Sequence, residues 1–219
     1  MKYTHFFFDL DGTVINSAPG ITHSVQYAVR KMGIEPPPEK ELTVFIGPPL
    51  ALSFSKVFGM NNAQATQAVA LYRENYRAGG MLECEVYEGI PQLLQALHDA
   101  GAVCVLATCK PHEFATKILR HLGLDGYFAF VSGPELDGTR GEKHEVIAHA
   151  MQTLGLTDPS RILMVGDRDN DVLGAAHHGI DCAGALWGFG SADELTDAGA
   201  KMLFATPTEA LARFLRDQN

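Results

Sequence analysis

The sequence predicts an α/β protein whose core is a doubly wound parallel sheet, with a second, α-helical domain inserted after the first strand. From residue 89 onward, short apolar runs alternate with helical patterns, which is typical of parallel strands joined by helices. Between residues 15 and 83 no strand pattern occurs, and this stretch reads as an insertion. We therefore predict a core domain of residues 1–14 and 84–219 and a helical domain of residues 15–83.

Prolines, glycines and asparagines mark where the helices of the inserted stretch begin and end. Proline cannot continue a helix, and a glycine pair is a common helix end. An asparagine side chain can accept a hydrogen bond from the first helical turn and so favours a helix start. These signals predict helices over Ser17–Gly33, over Glu39–Ile46, and from Asn61 or Asn62 to Gly79.

The core elements are predicted from the change between short apolar runs and helical spacing. The first strand covers residues 3–8, and a last helix begins with Thr206 as its N-cap and Pro207 at its first position. The elements between them are helix 91–100, strand 102–107, helix 112–122, strand 127–131, helix 142–155, strand 161–165, helix 169–178 and strand 181–186.

Polar residues follow three of these strands, at the edge of an open α/β sheet where ligands bind. Asp9 and Asp11 come directly after the first strand, Thr108 follows the second, and Asp167 follows the strand over 161–165. Two carboxylates beside a buried strand are costly unless a cation or a proton compensates them. The sequence therefore predicts a site for a metal ion or a phosphate at this edge.

Lys143 stands at the start of a predicted helix, where its charge opposes the helix dipole. That position costs roughly half a kcal/mol when exposed, so it indicates an anionic partner rather than a surface role. Asp171 lies four residues beyond Asp167, at the start of the next helix, and belongs to the same candidate site. Asp169 is interpreted as a solvated acid of that helix start. Lys110, Arg140 and Arg168 are interpreted as loop or surface charges.

The composition favours a globular protein that acts on a small molecule. With 26 acidic and 17 basic residues the formal net charge is −9, which argues against a nucleic-acid polymer as partner. The four cysteines show no CxxC spacing and no signal-peptide pattern is seen, so we expect a reduced, cytoplasmic setting. No apolar stretch is long enough to span a bilayer, so no membrane partner is expected. The oligomeric state is not indicated.

Taken in order, these motifs resemble the haloacid dehalogenase-like hydrolase superfamily, on its phosphatase side. The matching residues are Asp9-Leu10-Asp11-Gly12-Thr13 for the first motif, Thr108 for the second, Lys143 for the third, and Gly166-Asp167 with Asp171 for the fourth. A finer resemblance, to the phosphoglycolate phosphatase-like and 5'-nucleotidase-like branch, is carried by Phe45–Leu50, Thr108–Pro111, Glu135–Arg140 and Leu186–Gly190. The resemblance implies a Rossmann-like core and a helical cap that closes over the active site.

The same resemblance implies a Mg²⁺-dependent phosphatase that hydrolyses a small phosphorylated metabolite through an aspartyl-phosphate. Asp9 would be the nucleophile, and Asp11 the acid that protonates the leaving group and then activates water. The phosphate would be bound by Gly12, Thr108, Cys109 and Lys143. The Mg²⁺ would be bound by Asp9, the backbone carbonyl of Asp11, Asp167 and Asp171, the last either directly or through water.

The substrate and two other functions stay open at this point. The substrate could be a 5'-nucleotide or phosphoglycolate. A phosphosugar mutase also has both acids of the first motif. A receiver-type signalling domain also gathers acids, a hydroxyl and a lysine on a parallel sheet, but it is about half as long and lacks the helical insertion.

Overall fold

A six-stranded, entirely parallel sheet lies at the centre of the larger of two units into which the chain divides. The structure, a computed structural model, describes residues 2–216. The larger unit consists of the described residues up to Ile15 and from Val86 onward, and the smaller of Asn16–Glu85. The predicted assignment of residues 15–83 to a cap domain stays a prediction.

The strands are β1 His5–Phe8, β2 Ile15–Asn16, β3 Glu85–Val86, β4 Val103–Ala107, β5 Phe128–Ser132, β6 Ile162–Gly166, β7 Asp181–Ala185 and β8 Met202–Phe204. The α-helices are α1 Ala18–Lys31, α2 Leu50–Phe58, α3 Asn62–Ala78, α4 Ile90–Asp99, α5 His112–His121, α6 Lys143–Leu154, α7 Asp169–His177, α8 Ala192–Asp197 and α9 Pro207–Arg216. Among these described residues, no helix has both the length and the apolar character that a membrane crossing requires.

The order of the strands across the sheet is β5-β4-β1-β6-β7-β8, which confirms the predicted fold class. β1 is a central strand, and its last residue, Phe8, lies opposite Leu106 of β4 and Val165 of β6. Helices cover the faces of a parallel sheet, so its strands are buried on both sides and read as continuous apolar runs. This register brings the carboxyl ends of β1, β4 and β6 to one level of the same edge.

The smaller unit contains α1, α2 and α3, and two of its elements differ from the prediction. Asn61 caps α3 as predicted, since its side chain accepts a hydrogen bond from the backbone N–H of Gln64 at 3.0 Å. The predicted helix over Glu39–Ile46 is wrong as a regular helix, because the segment forms two separate 3₁₀ turns interrupted at Leu42. The helix α2 was not predicted, because the apolar segment that follows Pro48 and Pro49 is short.

Several short elements were also not predicted. β2 and β3, of two residues each, form a separate two-stranded sheet, and β2 lies within the stretch 15–83 in which no strand was expected. β8 has three residues at the edge of the sheet. α8 has six residues, and Ser191 caps it by accepting a hydrogen bond from the backbone N–H of Glu194 at 3.1 Å. Elements of this length do not contain enough residues for a periodic pattern to be recognised. The helix start at Thr206 is confirmed, since its hydroxyl accepts from the backbone N–H of Glu209 at 3.2 Å.

Two leucine-to-alanine substitutions test this description of the core. Leu106 is completely buried in β4, whereas Leu173 on α7 is 55% exposed. We expect Leu106→Ala to lower the free energy of unfolding by about 2–5 kcal/mol through lost burial and a residual cavity. Leu173→Ala should change it by less than about 0.5 kcal/mol. Urea unfolding followed by circular dichroism measures both, and equal effects would contradict the assigned packing.

Candidate active site

The site begins at the end of β1, where the ammonium group of Lys143 contacts Asp9. The Nζ atom of Lys143 lies 2.8 Å from Oδ1 of Asp9 and 2.7 Å from Oδ1 of Asp171. It also donates a hydrogen bond to the backbone carbonyl of Ala107, at the end of β4, at 2.9 Å. These acceptors match the three donor positions of an ammonium group. Lys143 therefore connects the ends of β1 and β4 with the first turn of α7.

Lys143 is buried and stays charged. Burial alone would lower its pKa, but the negative charges of Asp171 and Asp9 raise that pKa well above its ordinary value. It is the first residue of α6, as the sequence predicted. On the adjacent helix α7, a side chain at Gly174 would overlap the stem of Lys143, so this glycine leaves room for it.

Asp167, directly after β6, is completely buried and is held by two hydrogen bonds. The hydroxyl of Thr13 donates to Oδ1 at 3.0 Å, and the backbone N–H of Phe189 donates to Oδ2 at 2.9 Å. Burial, followed by the charges of Asp171 and Asp9, raises the pKa of Asp167 well above its ordinary value. Neither Thr13 nor Phe189 was predicted as a partner of this carboxylate.

Asp171 is also completely buried, and protein groups occupy both of its oxygen atoms. Oδ1 contacts Lys143, and Oδ2 accepts a hydrogen bond from the backbone N–H of Arg168 at 3.1 Å. Burial raises the pKa of Asp171 to about 6, against the opposing effect of the Lys143 charge. The sequence placed Asp171 in the site, and the structure shows that it also anchors Lys143.

Asp9, Asp167 and Asp171 form a group of carboxylates that fits a divalent cation. Each offers one oxygen atom, and these atoms all lie within 4.8 Å of one another. With all three carboxylates ionised, the ammonium of Lys143 would leave a formal charge of −2, which the raised pKa values of Asp167 and Asp171 disfavour in the absence of a cation. Carboxylate oxygens are the ligands that Mg²⁺ prefers, and a divalent cation would neutralise this group. The side chain of Asp11 is not a member of it, and its predicted backbone contact to Mg²⁺ stays a prediction.

Asp11 forms a second buried ion pair, with Lys110. The Nζ atom of Lys110 lies 2.8 Å from Oδ2 of Asp11, and the two side chains are only 6% and 14% exposed. Oδ1 of Asp11 is buried and accepts no hydrogen bond from any described residue. Asp9 and Asp11 are therefore held by different lysines, and one oxygen of Asp11 stays available for a further partner.

Lys110 lies in the loop after β4, as interpreted from the sequence, but it is buried and is not a surface charge. The cause lies in the turn after β4, where the hydroxyl of Thr108 accepts a hydrogen bond from the backbone N–H of Lys110 at 3.1 Å. This turn buries the lysine side chain beside Asp11. The intervening Cys109 is a thiol, because burial raises its pKa to about 12.

The other residues named from the sequence have simpler surroundings. Gly12 has a φ of +84°, and a side chain there would overlap the carboxylate of Asp167, so only glycine fits. Asp169 is exposed, as predicted. Arg168 pairs with Glu194 at 2.7 Å, and its side chain is partly buried.

Fold and site together define a hydrolase that handles phosphate groups at the carboxyl edge of a parallel sheet. The profile of the family described as haloacid dehalogenase-like hydrolase matches residues 6–185. The chain therefore belongs to the haloacid dehalogenase-like hydrolase family, as the order of the motifs predicted.

Relatives of known name extend this comparison. A protein of Pseudomonas aeruginosa named 5'-nucleotidase is 45% identical over 89% of this chain and 88% of its own length. A phosphoglycolate phosphatase of Aquifex aeolicus is 30% identical over 83% of this chain and 84% of its own length. The tyrosine-protein kinase PtkA of Mycobacterium tuberculosis is 42% identical over 85% of this chain, which spans 63% of that protein.

A solved structure of similar sequence and fold also carries the name of a phosphatase. The crystal structure of a predicted phosphatase from Clostridium acetobutylicum is 39% identical, with a TM-score of 0.93, and covers 99% of this chain and 100% of its own. Together with the family and the phosphatase-named relatives, it identifies the chain as a phosphoric monoester hydrolase.

A substitution at Lys143 tests the proposed charge balance of the site. Lys143→Met leaves Asp9 and Asp171 buried without their cation, so we expect a loss of about 3–5 kcal/mol in the free energy of unfolding, measured in EDTA. The matched control is Lys117→Met, which removes only an exposed pair with Glu113 on α5 and should cost less than about 0.5 kcal/mol. A similar small loss for both variants would mean that Lys143 does not balance the carboxylates.

Proposed function

We propose that the protein is a Mg²⁺-dependent phosphatase that hydrolyses 5'-nucleotides through an aspartyl-phosphate on Asp9. The observation that carries the proposal is the separate pairing of Asp9 with Lys143 and of Asp11 with Lys110. Two neighbouring carboxylates with different partners can take different roles, one as a nucleophile and the other as an acid and base.

In the first step, the carboxylate of Asp9 attacks phosphorus, and the bond from phosphorus to the ester oxygen breaks. For this step Asp11 is proposed to carry a proton on Oδ1, the oxygen that does not pair with Lys110, and to give that proton to the departing alkoxide. In the second step, Asp11 takes a proton from water as that water attacks phosphorus and releases Asp9. The ammonium of Lys143, the hydroxyl of Thr108 and the backbone N–H groups near Gly12 and Cys109 are proposed to bind the phosphate.

Asp9 and Asp167 are proposed to hold Mg²⁺, together with the backbone carbonyl of Asp11. Because Oδ1 of Asp171 already contacts the positively charged ammonium of Lys143, whereas the oxygens of Asp167 accept only from neutral donors, we propose that Asp171 acts on the metal through water and through Lys143. When bound, the metal would supply positive charge against the phosphate oxygens and so lower their repulsion of the attacking carboxylate.

Two observations support a 5'-nucleotide as the substrate. The Pseudomonas aeruginosa relative at 45% identity bears that activity in its name. Phosphoglycolate carries a carboxylate in addition to its phosphate, and binding that carboxylate would need a further cation. The ammonium groups of Lys110 and Lys143, which lie near the strand ends, already pair with aspartates. A nucleoside leaving group has no such need.

The proposal also covers the division of the chain into domains and the location of the protein in the cell. We propose that residues 15–83 form a cap domain, which is supported by the separate, mainly helical unit Asn16–Glu85. A cytoplasmic setting is supported by the four cysteines, all of which are free.

Replacement of the nucleophile tests the first step. Asp9→Asn keeps the size of the side chain but removes its nucleophilic oxygen anion, so turnover should fall at least about a thousandfold with an unchanged circular dichroism spectrum. Asp169→Asn is the matched control at an exposed position of α7 and should keep wild-type activity. Appreciable turnover by Asp9→Asn would exclude Asp9 as the nucleophile.

Phosphate release from a panel of phosphomonoesters tests the reaction and the substrate. The panel contains 5'-nucleotides, 2-phosphoglycolate and sugar phosphates, each assayed with Mg²⁺ and with EDTA. We expect release from 5'-nucleotides that stops in EDTA and returns when Mg²⁺ is added in excess.

Other results would favour other functions. A preference for 2-phosphoglycolate would replace the nucleotide with a smaller substrate. An isomerised phosphosugar would indicate a mutase, and a long-lived phosphorylated protein without turnover a signalling domain. Phosphate transfer to a tyrosine side chain would favour the activity named for the Mycobacterium tuberculosis relative.

A further inference from the structure

The segment Trp187–Gly190, here named the β7 loop, follows β7, which lies on the other side of β1 from β4 in the order of the sheet. The backbone N–H of Phe189 donates to Oδ2 of Asp167 at 2.9 Å. The indole N–H of Trp187 donates to the backbone carbonyl of Thr13 at 2.9 Å. Thr13 in turn donates its hydroxyl to Oδ1 of Asp167 at 3.0 Å.

These three hydrogen bonds hold the carboxylate of Asp167 at both oxygens. One oxygen is bound directly by the β7 loop, and the other by Thr13, whose backbone the same loop binds. A carboxylate with a fixed donor on each oxygen loses a hydrogen bond if it rotates. Because Asp167 is completely buried, an oxygen left without a donor there would be costly. The loop thus fixes the orientation of Asp167.

The two glycines of the β7 loop show how closely its backbone approaches. A side chain at Gly188 would overlap the carbonyl oxygen of Gly12 and the side chain of Asp167. A side chain at Gly190 would overlap the backbone carbonyl of Asp167. The loop can therefore reach Asp167 only with glycine at both positions, and any larger residue would push the Phe189 N–H away from the carboxylate.

The contacts of Trp187 and Phe189 go beyond those of aromatic residues that only pack a loop. Packing alone does not explain why the indole N–H of Trp187 donates to the carbonyl of Thr13. It also does not explain why a glycine lies against Asp167 on each side of Phe189, whose N–H donates to that carboxylate. Partners that orient a metal-binding carboxylate commonly change metal affinity 10–100-fold when they are lost.

We infer that the β7 loop is a positioning element for the metal site: Trp187 and Gly188 set the orientation of Asp167 through Thr13 and the Phe189 N–H. The inference rests on the proposed function, in which Asp167 binds Mg²⁺. Neither residue touches the reacting atoms in this account, so their effect passes through Asp167.

The test measures Mg²⁺ binding without substrate, from the rise in melting temperature of EDTA-treated protein as Mg²⁺ is added. We expect Gly188→Ala to weaken Mg²⁺ binding by about tenfold or more, because it displaces the Phe189 N–H. Trp187→Phe should weaken it by about threefold or more, because the indole hydrogen bond to Thr13 is lost while an aromatic ring is kept. The matched controls are Gly126→Ala, where the added methyl meets open space, and Tyr127→Phe, which removes an exposed hydrogen bond to Gln95.

The outcomes separate this inference from the proposed function. Weaker Mg²⁺ binding in both loop variants, with wild-type binding in both controls, supports it. A lower melting temperature in EDTA with an unchanged dissociation constant for Mg²⁺ would show a structural role only and overturn it. If Gly188→Ala does not fold, Trp187→Phe decides alone. Failure of the wild-type protein to bind Mg²⁺ or release phosphate would instead overturn the proposed function on which the inference rests.

Discussion

The burial of like charges at the end of β1 is the constraint on which the rest of the site depends. Asp9, Asp167 and Asp171 bring three carboxylate oxygens within 4.8 Å of one another, and one ammonium, that of Lys143, contacts two of these residues. Taking charges out of water costs several kcal/mol each unless opposite charges and hydrogen bonds compensate. The ammonium of Lys143 and the hydrogen bonds to Asp167 and Asp171 supply part of that compensation. The proposed divalent cation would offset this excess of negative charge and would supply positive charge toward an anionic substrate.

The sheet makes this arrangement possible because β1 lies between β4 and β6 in register. The backbone of each strand ends at the same level, so side chains that are far apart in sequence meet without long loops. Helix starts complete the site, since α6 begins with Lys143 and α7 contains Asp171 in its first turn. The proposed catalytic groups therefore lie at the ends of strands and the starts of helices, which suits a reaction that depends on fixed electrostatic positions.

The sequence predicts those parts that follow from local patterns, and it fails where contacts depend on the path of a turn. Asp9, Asp11 and Lys143 could be found because each stands directly at a strand end or helix start. The inward direction of Lys110 could not, since it depends on a hydrogen bond between the Thr108 hydroxyl and a backbone N–H. The donors to Asp167 were missed for a similar reason: a backbone N–H such as that of Phe189 leaves no signature in residue type. The 3₁₀ turns and the short elements β8 and α8 carry too little periodicity to be recognised.

The most direct test of the account is to trap the phosphorylated enzyme and locate the modified residue. Turnover of a 5'-nucleotide is stopped with acid, the acyl phosphate is reduced with borohydride, and peptides are sequenced by mass spectrometry. Reduction of an aspartyl-phosphate converts the aspartate to homoserine, so the account predicts homoserine at position 9. Homoserine at another aspartate, such as Asp11 or Asp167, or its absence during steady turnover, would contradict the assignment of Asp9 as the residue that accepts the phosphate.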